Sequence, residues 1–149
     1  KKINLILHKK QFQIQRVGIY AWVSTTDKDQ LNSLVAQISA LTRITSNYSN
    51  WKLVDIYIDI ASGKTKSSRK EFSRMLEDIK KEDVNIIVTK SVSRFGWNTV
   101  DALEALKGIR QASARIIFEQ ENLDSQEDDT DMIISIMESL AQSENEQRS

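Results

Sequence analysis

Four stretches of the chain have the pattern of hydrophobic and polar residues that β-strands show. In residues 16–24, apolar side chains take every second position, which is the side-chain period of a strand. Residues 51–58 form a second such stretch. Residues 84–89 are short and nearly all apolar, as in a strand buried on both faces, and residues 115–118 are the fourth stretch. The pattern therefore predicts four strands.

Apolar residues at a spacing of three or four predict a helix after each of these strands. The first helix runs through residues 31–41, and the second is expected to begin with a capping box made by Ser68 and Glu71. The third opens at Asn98, and the fourth passes through residues 132–140. Strands that alternate with helices predict a three-layer α/β/α domain with a mostly parallel sheet.

The periodicity also divides the chain into two parts. Residues 1–15 have an apolar first half followed by Gln and Lys, and we expect them to be a lead-in of uncertain order. Regular periodicity starts at residue 16, so residues 16–149 are expected to be a single domain. The chain stops in a polar helical stretch, which predicts a domain cut from a longer protein.

The composition excludes several kinds of site. The 149 residues include no cysteine, so disulfides and thiolate metal sites are excluded. The single histidine, His8, lies in the lead-in, so a Ser-His-Asp triad in the domain is not expected. No apolar run approaches the roughly 20 residues that span a bilayer, so we expect no membrane association and a cytoplasmic location.

The charges of the chain balance, with 21 basic and 21 acidic residues. Domains that hold nucleic acid by bulk electrostatics are usually basic, so any affinity for DNA should come largely from elsewhere. Residues 119–131 carry seven acids and no base, whereas residues 64–74 carry five bases and one acid. We interpret both runs as solvated surface.

Ligand sites of open parallel sheets gather at the carboxyl ends of the strands, and this rule selects a small set of side chains. They are Ser24 after the first strand, Asp59, Ser62, Gly63 and Arg69 after the second, and Lys90, Ser93 and Arg94 after the third. A serine with basic groups and a carboxylate suits phosphoryl transfer, in which guanidinium groups neutralise charge that develops around phosphorus. By spacing alone, a helix cap or turn at Ser24 is the commoner alternative.

Six motifs occur in order along the chain. They are Tyr20-x-x-x-Ser24-Thr25, Gln30 with Leu34-x-x-Gln37, Asp59-Ile60-Ala61-Ser62-Gly63, Arg69-x-x-Phe72-x-x-Met75-Leu76, Lys90-x-x-Ser93-Arg94-Phe95 with Asn98-Thr99-x-Asp101, and Leu140-Ala141-Gln142-x-Glu144. In these motifs the chain resembles the catalytic domain of the serine site-specific recombinases, the resolvase/invertase family. It is most similar to the large serine integrase and transposase branch, and the resemblance runs from about Arg16 to Ser149.

This resemblance implies site-specific DNA recombination, in which strands are cut and rejoined through a 5′-phosphoserine intermediate without metal, ATP or another cofactor. The implied site residues are Ser24 as the nucleophile, Arg69 and Arg94 as phosphate-binding groups, and Asp59, Tyr20 and Gln37 as supporting groups. The implied partners are DNA and further copies of the protein, from dimer to tetramer. The chain is then expected to stop before or within the family's long dimerisation helix, with the DNA-binding domain outside it.

Two tryptophans depart from the family pattern, because Trp22 and Trp97 stand where that pattern has arginines. A guanidinium group carries a fixed charge and five donors, whereas an indole offers one N–H and no charge. Since the loss of one preorganised donor costs about 10²–10³ in rate, we expect impaired chemistry. A degenerate remnant, a different role for the rings in a regulatory subunit, and a sequence artefact are three competing causes.

Two other functions stay open at this point. A non-catalytic assembly or regulatory module would keep the fold and the oligomer surface and use both tryptophans for packing. A flavodoxin-like or receiver-like domain is disfavoured. A receiver needs an acidic pair after the first strand and an aspartate after the third, where this chain has Ser24-Thr25 and Lys90-Ser91.

Overall fold

The structure is a computed structural model, and it describes residues 13–23, 28–60, 69–92, 99–129, 131–136 and 138–139. A sheet of five strands lies at the centre of the domain. The strands are β1 (Gln15–Val23), β2 (Trp51–Ile60), β3 (Ile86–Thr89), β4 (Arg115–Phe118) and β5 (Leu123–Asp124). Their order across the sheet is β2-β1-β3-β4-β5. The pairings among β1 to β4 are parallel, and β5 runs antiparallel to β4.

Helices alternate with the strands along the chain. They are α1 (Lys28–Ser46), α2 (Lys70–Lys80) and α3 (Thr99–Gln111), followed by a helical segment at residues 131–136. This alternation and the mostly parallel sheet confirm the predicted α/β architecture. Within the described ranges, no helix is both long enough and apolar enough to cross a membrane.

Strand β1 divides its side chains between two cores. Val17 belongs to a buried cluster with Leu41 of α1. Tyr20 belongs to a larger cluster with Phe72 of α2 and Leu106 of α3, and its side chain is fully buried. Because successive residues of a strand point to opposite faces, α1 covers one face of the sheet, and α2 and α3 cover the other. The alternation predicted from the sequence is confirmed.

Strand β2 lies at an edge of the described sheet and contains an extra residue. Val17 of β1 is opposite Leu53, whereas the next residue, Gly18, is opposite Asp55. Val54 is therefore the extra residue of a β-bulge, and it is 40% exposed.

The bulge changes which side chains of β2 meet which core. Leu53, before the bulge, packs against the α1 core, whereas Tyr57, after it, is fully buried in the core of α2 and α3. Both residues have odd numbers, so a regular strand would place them on the same face. The extra residue thereby brings Asp59 to the face of the sheet that carries Tyr20.

The acidic run at residues 119–131 is more structured than the predicted solvated surface. It contains β5, in which Leu123 is 6% exposed. Arg115 and Asp124 form an ion pair with 2.7 Å between Nη2 and Oδ2, and the carboxylate of Asp128 accepts the N–H of Asp124 at 2.8 Å. The surface interpretation is wrong for these residues, because a strand of two residues held by side chains leaves no periodic pattern in the sequence.

Gly18 is expected to be needed for the packing of β1. A Cβ at this position would lie 2.9 Å from Cε2 of Tyr57 and 3.1 Å from Cδ1 of Ile87. Both neighbours are fully buried, so Gly18→Ala should lower the free energy of unfolding by about 1–3 kcal/mol through overpacking. Denaturant unfolding monitored by circular dichroism measures this change.

The matched control is Gly108→Ala in α3, where a Cβ would meet nothing within 4 Å. Replacing a helical glycine with alanine should raise the free energy of unfolding by up to about 1 kcal/mol. Equal effects of the two substitutions would contradict the packing argument.

Candidate active site

Three of the predicted site residues meet at the carboxyl ends of β1 and β2. Tyr20 lies near the end of β1, Asp59 is the second-last residue of β2, and Arg69 immediately precedes α2. The hydroxyl of Tyr20 lies 3.0 Å from Oδ2 of Asp59 and 3.1 Å from Nη2 of Arg69. We refer to Tyr20, Asp59 and Arg69 as the phosphate-edge cluster, after the role that the family resemblance implies for Arg69.

Asp59 caps the amino terminus of α2 from the neighbouring strand. Its Oδ1 accepts the N–H of Glu71 and its Oδ2 accepts the N–H of Phe72, each at 3.0 Å. The first N–H groups of a helix have no partner inside the helix, and the helix dipole favours a negative charge there. Since Asp59 is only 4% exposed, these bonds join α2 firmly to the end of β2.

The predicted capping box is wrong in the part that the structure describes. Arg69 occupies the N-cap position and its side chain makes no capping hydrogen bond. The carboxylate of Glu71 accepts a hydrogen bond from Nε of Arg74 at 2.7 Å instead of returning to the start of the helix. Ser68 lies outside the described residues. The cap comes from Asp59, ten positions earlier than Arg69, which a local motif does not reveal.

Arg74 supplies a second connection between α2 and β2. Its Nη1 lies 2.6 Å from Oδ2 of Asp55, and its guanidinium carbon lies 4.3 Å from the centroid of the Tyr57 ring. Hydrogen bonds from Arg74 lower the pKa of the carboxyl groups of Asp55 and Glu71. These groups are partly exposed, so the ion pairs contribute less to stability than the buried cap does.

Arg69 is held between a hydroxyl group and an aromatic ring. Its Nε and Nη2 lie 3.4 and 3.1 Å from the hydroxyl oxygen of Tyr20. Its guanidinium carbon lies 3.9 Å from the centroid of the Phe72 ring, a distance typical of a cation–π contact. The motif Arg69-x-x-Phe72 contains this pair, but no role for Phe72 follows from the motif. The contact supplies one, because residues three apart at the start of a helix are neighbours.

The hydroxyl group of Tyr20 donates to Asp59 and accepts from Arg69. Burial raises the pKa of this hydroxyl well above its usual value, Arg69 opposes the shift, and the negative charge of Asp59 adds to it. The hydroxyl therefore stays protonated at neutral pH and can act as the donor to Asp59. The Tyr20 and Phe72 rings also meet edge to face, with 5.3 Å between their centroids.

Trp22 lies beside the phosphate-edge cluster. It is opposite Asp59 in the register of β1 and β2, and it is partly buried. Its side chain packs against the core that contains Tyr20 and Phe72. The ring therefore contributes apolar packing at a position where the family resemblance implies an arginine.

Gln37 lies apart from this cluster. It is 4% exposed on α1, the helix that covers the opposite face of the sheet. Among the residues that the structure describes, neither Oε1 nor Nε2 of Gln37 has a hydrogen-bond partner. Buried amides usually have hydrogen-bond partners, so packing within the described residues does not account for this one.

Comparison with known proteins decides the family. The family described as "Resolvase, N terminal domain" matches residues 17–149. The chain belongs to the resolvase family of serine recombinases. A comparison with curated proteins gave no match.

Solved structures of serine recombinases share this resolvase fold. The domain is 32% identical to a resolvase family site-specific recombinase from Streptococcus pneumoniae, with 89% of each chain covered and a TM-score of 0.69. The N-terminal catalytic domain of TP901-1 integrase is 22% identical over 91% of this chain and all of its own, with a TM-score of 0.69, and shows the fold alone. The C-terminal catalytic domain of ISC1926 TnpA, an IS607-like serine recombinase, is 25% identical over 70% of each chain, with a TM-score of 0.59.

The family match and the pneumococcal structure confirm the predicted serine recombinase family, and the integrase and transposase structures share its fold. Six predicted site residues of the resolvase domain lie outside the described residues: Ser24, Ser62, Gly63, Ser93, Arg94 and Trp97. The residues that precede two of them are described. Val23, the last residue of β1, is fully buried, and Val92, two positions before Arg94, is 1% exposed.

A cavity of about 550 Å³ lies at the opposite end of the sheet. Its lining includes Gln15, Trp51 and Arg115, which begin β1, β2 and β4. Functional sites of open parallel sheets gather at the carboxyl ends, and the phosphate-edge cluster lies there. The cavity is therefore not part of the candidate active site of the resolvase domain.

Asp59→Asn should destabilise the domain. The substitution removes the charge and turns one acceptor into an N–H donor, which would face the N–H of Glu71 in one orientation and that of Phe72 in the other. We expect the free energy of unfolding to fall by about 1–3 kcal/mol, the usual cost of an unsatisfied buried polar group, in denaturant unfolding. The control is Asp83→Asn, since Asp83 is exposed. Equal losses in both variants would show that Asp59 is not the cap that holds α2.

Tyr20 should make the stability of the domain fall at high pH. Its pKa is raised in the folded state and lies near 10 in the unfolded state, so its contribution is complete below about pH 10. Above that pH the unfolded chain ionises first, and stability should fall by up to about 1.4 kcal/mol per pH unit from this group.

Unfolding curves between about pH 8 and pH 11 test this linkage. Tyr20→Phe should make the decline less steep. Burial and Asp78 also raise the pKa of Tyr57. Stability should therefore still fall somewhat with pH in the Tyr20→Phe variant. Tyr48→Phe is the control, since the side chain of Tyr48 is half-exposed and lies outside the cluster. An unchanged slope in Tyr20→Phe would contradict the linkage.

Proposed function

We propose that this domain is the catalytic domain of a site-specific DNA recombinase that uses Ser24 as its nucleophile. The observation that carries the proposal is the phosphate-edge cluster. The Tyr20 hydroxyl and the Phe72 ring orient the guanidinium group of Arg69 at the carboxyl ends of β1 and β2. Ser24 is bonded directly to Val23, the last residue of β1 at that same edge. Arg94 is proposed as the second phosphate-binding group.

In the proposed reaction, the Oγ of Ser24 attacks the phosphorus of a DNA phosphodiester. The Oγ–P bond forms as the bond between phosphorus and the 3′ oxygen breaks. The serine loses its proton, and the departing oxygen gains one and leaves as a 3′-hydroxyl group. The product is a 5′-phosphoserine ester, so one phosphate ester replaces another. Reversal with a new 3′-hydroxyl reseals the strand without an external energy source.

The geometry of Arg69 suits the charge that develops in this reaction. The equatorial oxygens of the phosphorus gain negative charge in the transition state, and a preorganised guanidinium stabilises that charge. Arg69 is ordered through Tyr20, which in turn donates to Asp59. We therefore propose Asp59 and Tyr20 as groups that orient Arg69. Gln37 is proposed as a supporting group because its amide is buried and finds no hydrogen-bond partner among the residues that the structure describes.

Trp22 and Trp97 are proposed to weaken the reaction in the chain as written. Trp22 packs beside Asp59 and supplies no positive charge at that point. Removal of one preorganised donor costs about 10²–10³ in rate, and two donors of one site do not act additively. The chemistry is therefore proposed to be slow, with Arg69 and Arg94 as the remaining guanidinium groups.

The packing of Trp22 also favours a second candidate function. An aromatic ring against the core of α2 and α3 is a structural contact, and an inactive subunit that only joins an assembly has no need of an arginine there. In this alternative the domain is a regulatory or assembly module. It keeps the fold and the oligomer surface without cutting DNA.

The proposed partners of the domain are DNA and further copies of the same protein. In the reaction implied by the family, four protomers cut two duplexes and exchange ends by rotation of subunits. The zero net charge of the chain supports a division of labour in which a separate DNA-binding region gives most of the affinity and specificity. The proposed location is the cytoplasm.

The double substitution Trp22→Arg and Trp97→Arg tests the proposed activity. In the complete protein, on its own recombination site, it should raise the yield of the covalent DNA adduct by at least about tenfold, since two phosphate-binding donors are restored. A denaturing gel separates protein-linked DNA from free DNA and measures the yield.

Ser24→Ala in the same background is the control and should abolish the adduct. Equal yields with and without the arginines would show that the tryptophans do not limit the chemistry. The absence of an adduct in every form would favour the assembly module.

A further inference from the structure

Glu121, in the acidic run after β4, binds the backbone where the chain leaves β3. Its Oε1 lies 2.9 Å from the backbone nitrogen of Val92, which donates the hydrogen bond. The two residues are 29 positions apart in the chain. The charge pattern of residues 119–131 predicts solvated surface. The side chain of Glu121 is nevertheless partly buried and makes a specific contact.

Backbone hydrogen bonds just before and just after Glu121 hold its side chain near Val92. The N–H groups of Glu119 and Gln120 bond to the carbonyl oxygens of Thr89 and Lys90 at 3.0 and 2.7 Å, so the pairing of β4 with β3 continues past the strands. Asn122 then adopts a φ of 53°, and its N–H bonds back to the carbonyl of Glu119 at 3.2 Å. Asparagine tolerates this left-handed conformation, which closes a tight turn around Glu121.

The end of β3 needs a partner such as Glu121. Ser91 and Val92 are 4% and 1% exposed, so the chain is largely shielded from water where it leaves β3. A buried N–H without a partner costs about 1–3 kcal/mol, and a hydrogen bond to a carboxylate is roughly twice as strong as a neutral one. The carboxylate of Glu121 therefore fixes the backbone at Val92.

We propose that Glu121 is a positioning residue for Arg94. Arg94 follows Val92 by two residues, which limits the distance between their Cα atoms to about 7 Å. In this proposal a shift of the backbone at Val92 displaces Arg94, since a single residue separates the two in the chain. The inference rests on the proposed function, in which Arg94 binds the scissile phosphate. Glu121 is then a group that acts through the chain that carries Arg94 and not on the phosphate itself.

The first experiment tests the contact in this domain by amide hydrogen exchange. In Glu121→Ala, the amide of Val92 should exchange at least about tenfold faster, while the amide of Tyr20 in β1 keeps its protection. Glu121→Gln keeps an acceptor oxygen of the same reach and should preserve most of the protection. Glu119→Ala is the control, because Glu119 is an exposed acid of the same turn that bonds through its backbone.

The second experiment tests the consequence for catalysis in the complete recombinase that carries Trp22→Arg and Trp97→Arg. Glu121→Ala should lower the rate of Ser24-dependent adduct formation by about 10- to 100-fold, because a small displacement of a catalytic group has effects of that size. Glu121→Gln should restore the rate to within about threefold, since the acceptor is present. Glu119→Ala should leave the rate unchanged.

The two measurements separate the inference from the function on which it rests. Unchanged exchange at Val92 in Glu121→Ala overturns the inference, whatever the adduct assay gives. Faster exchange with an unchanged adduct rate overturns it as well, because the contact then does not act on Arg94. If no form of the protein gives an adduct while exchange at Val92 is faster, the proposed function fails and the contact of Glu121 with Val92 is supported.

Discussion

The candidate site depends on one buried carboxylate that receives three hydrogen bonds from two other elements. Asp59 binds the first N–H groups of α2 and the hydroxyl group of Tyr20, and through that hydroxyl it reaches Arg69. A buried carboxylate is costly unless it is fully paired, and here the helix dipole and the three donors offset the cost. The position of Arg69 is therefore a result of how a strand and a helix are joined.

The side of the sheet on which Asp59 lies depends in turn on a backbone irregularity. Without the extra residue Val54, the alternation along β2 would turn Asp59 toward α1 and away from Tyr20. The bulge and the cap thus act in sequence. The bulge determines the face on which Asp59 lies, and the cap fixes α2 to that face. Arg69, at the start of α2, therefore lies beside Tyr20 and Asp59.

The sequence was sufficient for the fold class and for much of the site, because both rest on local patterns. The alternation in residues 16–24 predicted β1, and the position after the second strand, together with the family motifs, identified Asp59 and Arg69. The contacts that the sequence did not reveal are those between distant residues. Asp59 caps α2 in place of the predicted local cap, and Glu121, after β4, binds Val92, after the neighbouring strand β3. The bulge at Val54 leaves only a small mark in the sequence, the adjacent apolar pair Leu53-Val54, where the alternation moves from odd to even positions. The resemblance identifies Gln37. The structure adds that its amide is buried on α1 and has no hydrogen-bond partner among the described residues.

The bulge also affects how the protein behaves in concentrated solution. A long, regular edge strand offers a row of open backbone groups on which another chain can form sheet, and this is a common route to aggregation. Strand β2 has ten residues at the edge of the described sheet, which is long for such a position. The extra residue twists that edge and interrupts its register, so a second β2 strand finds no continuous template there. An irregularity that brings a carboxylate to the site thereby also helps to keep neighbouring molecules from joining edge to edge.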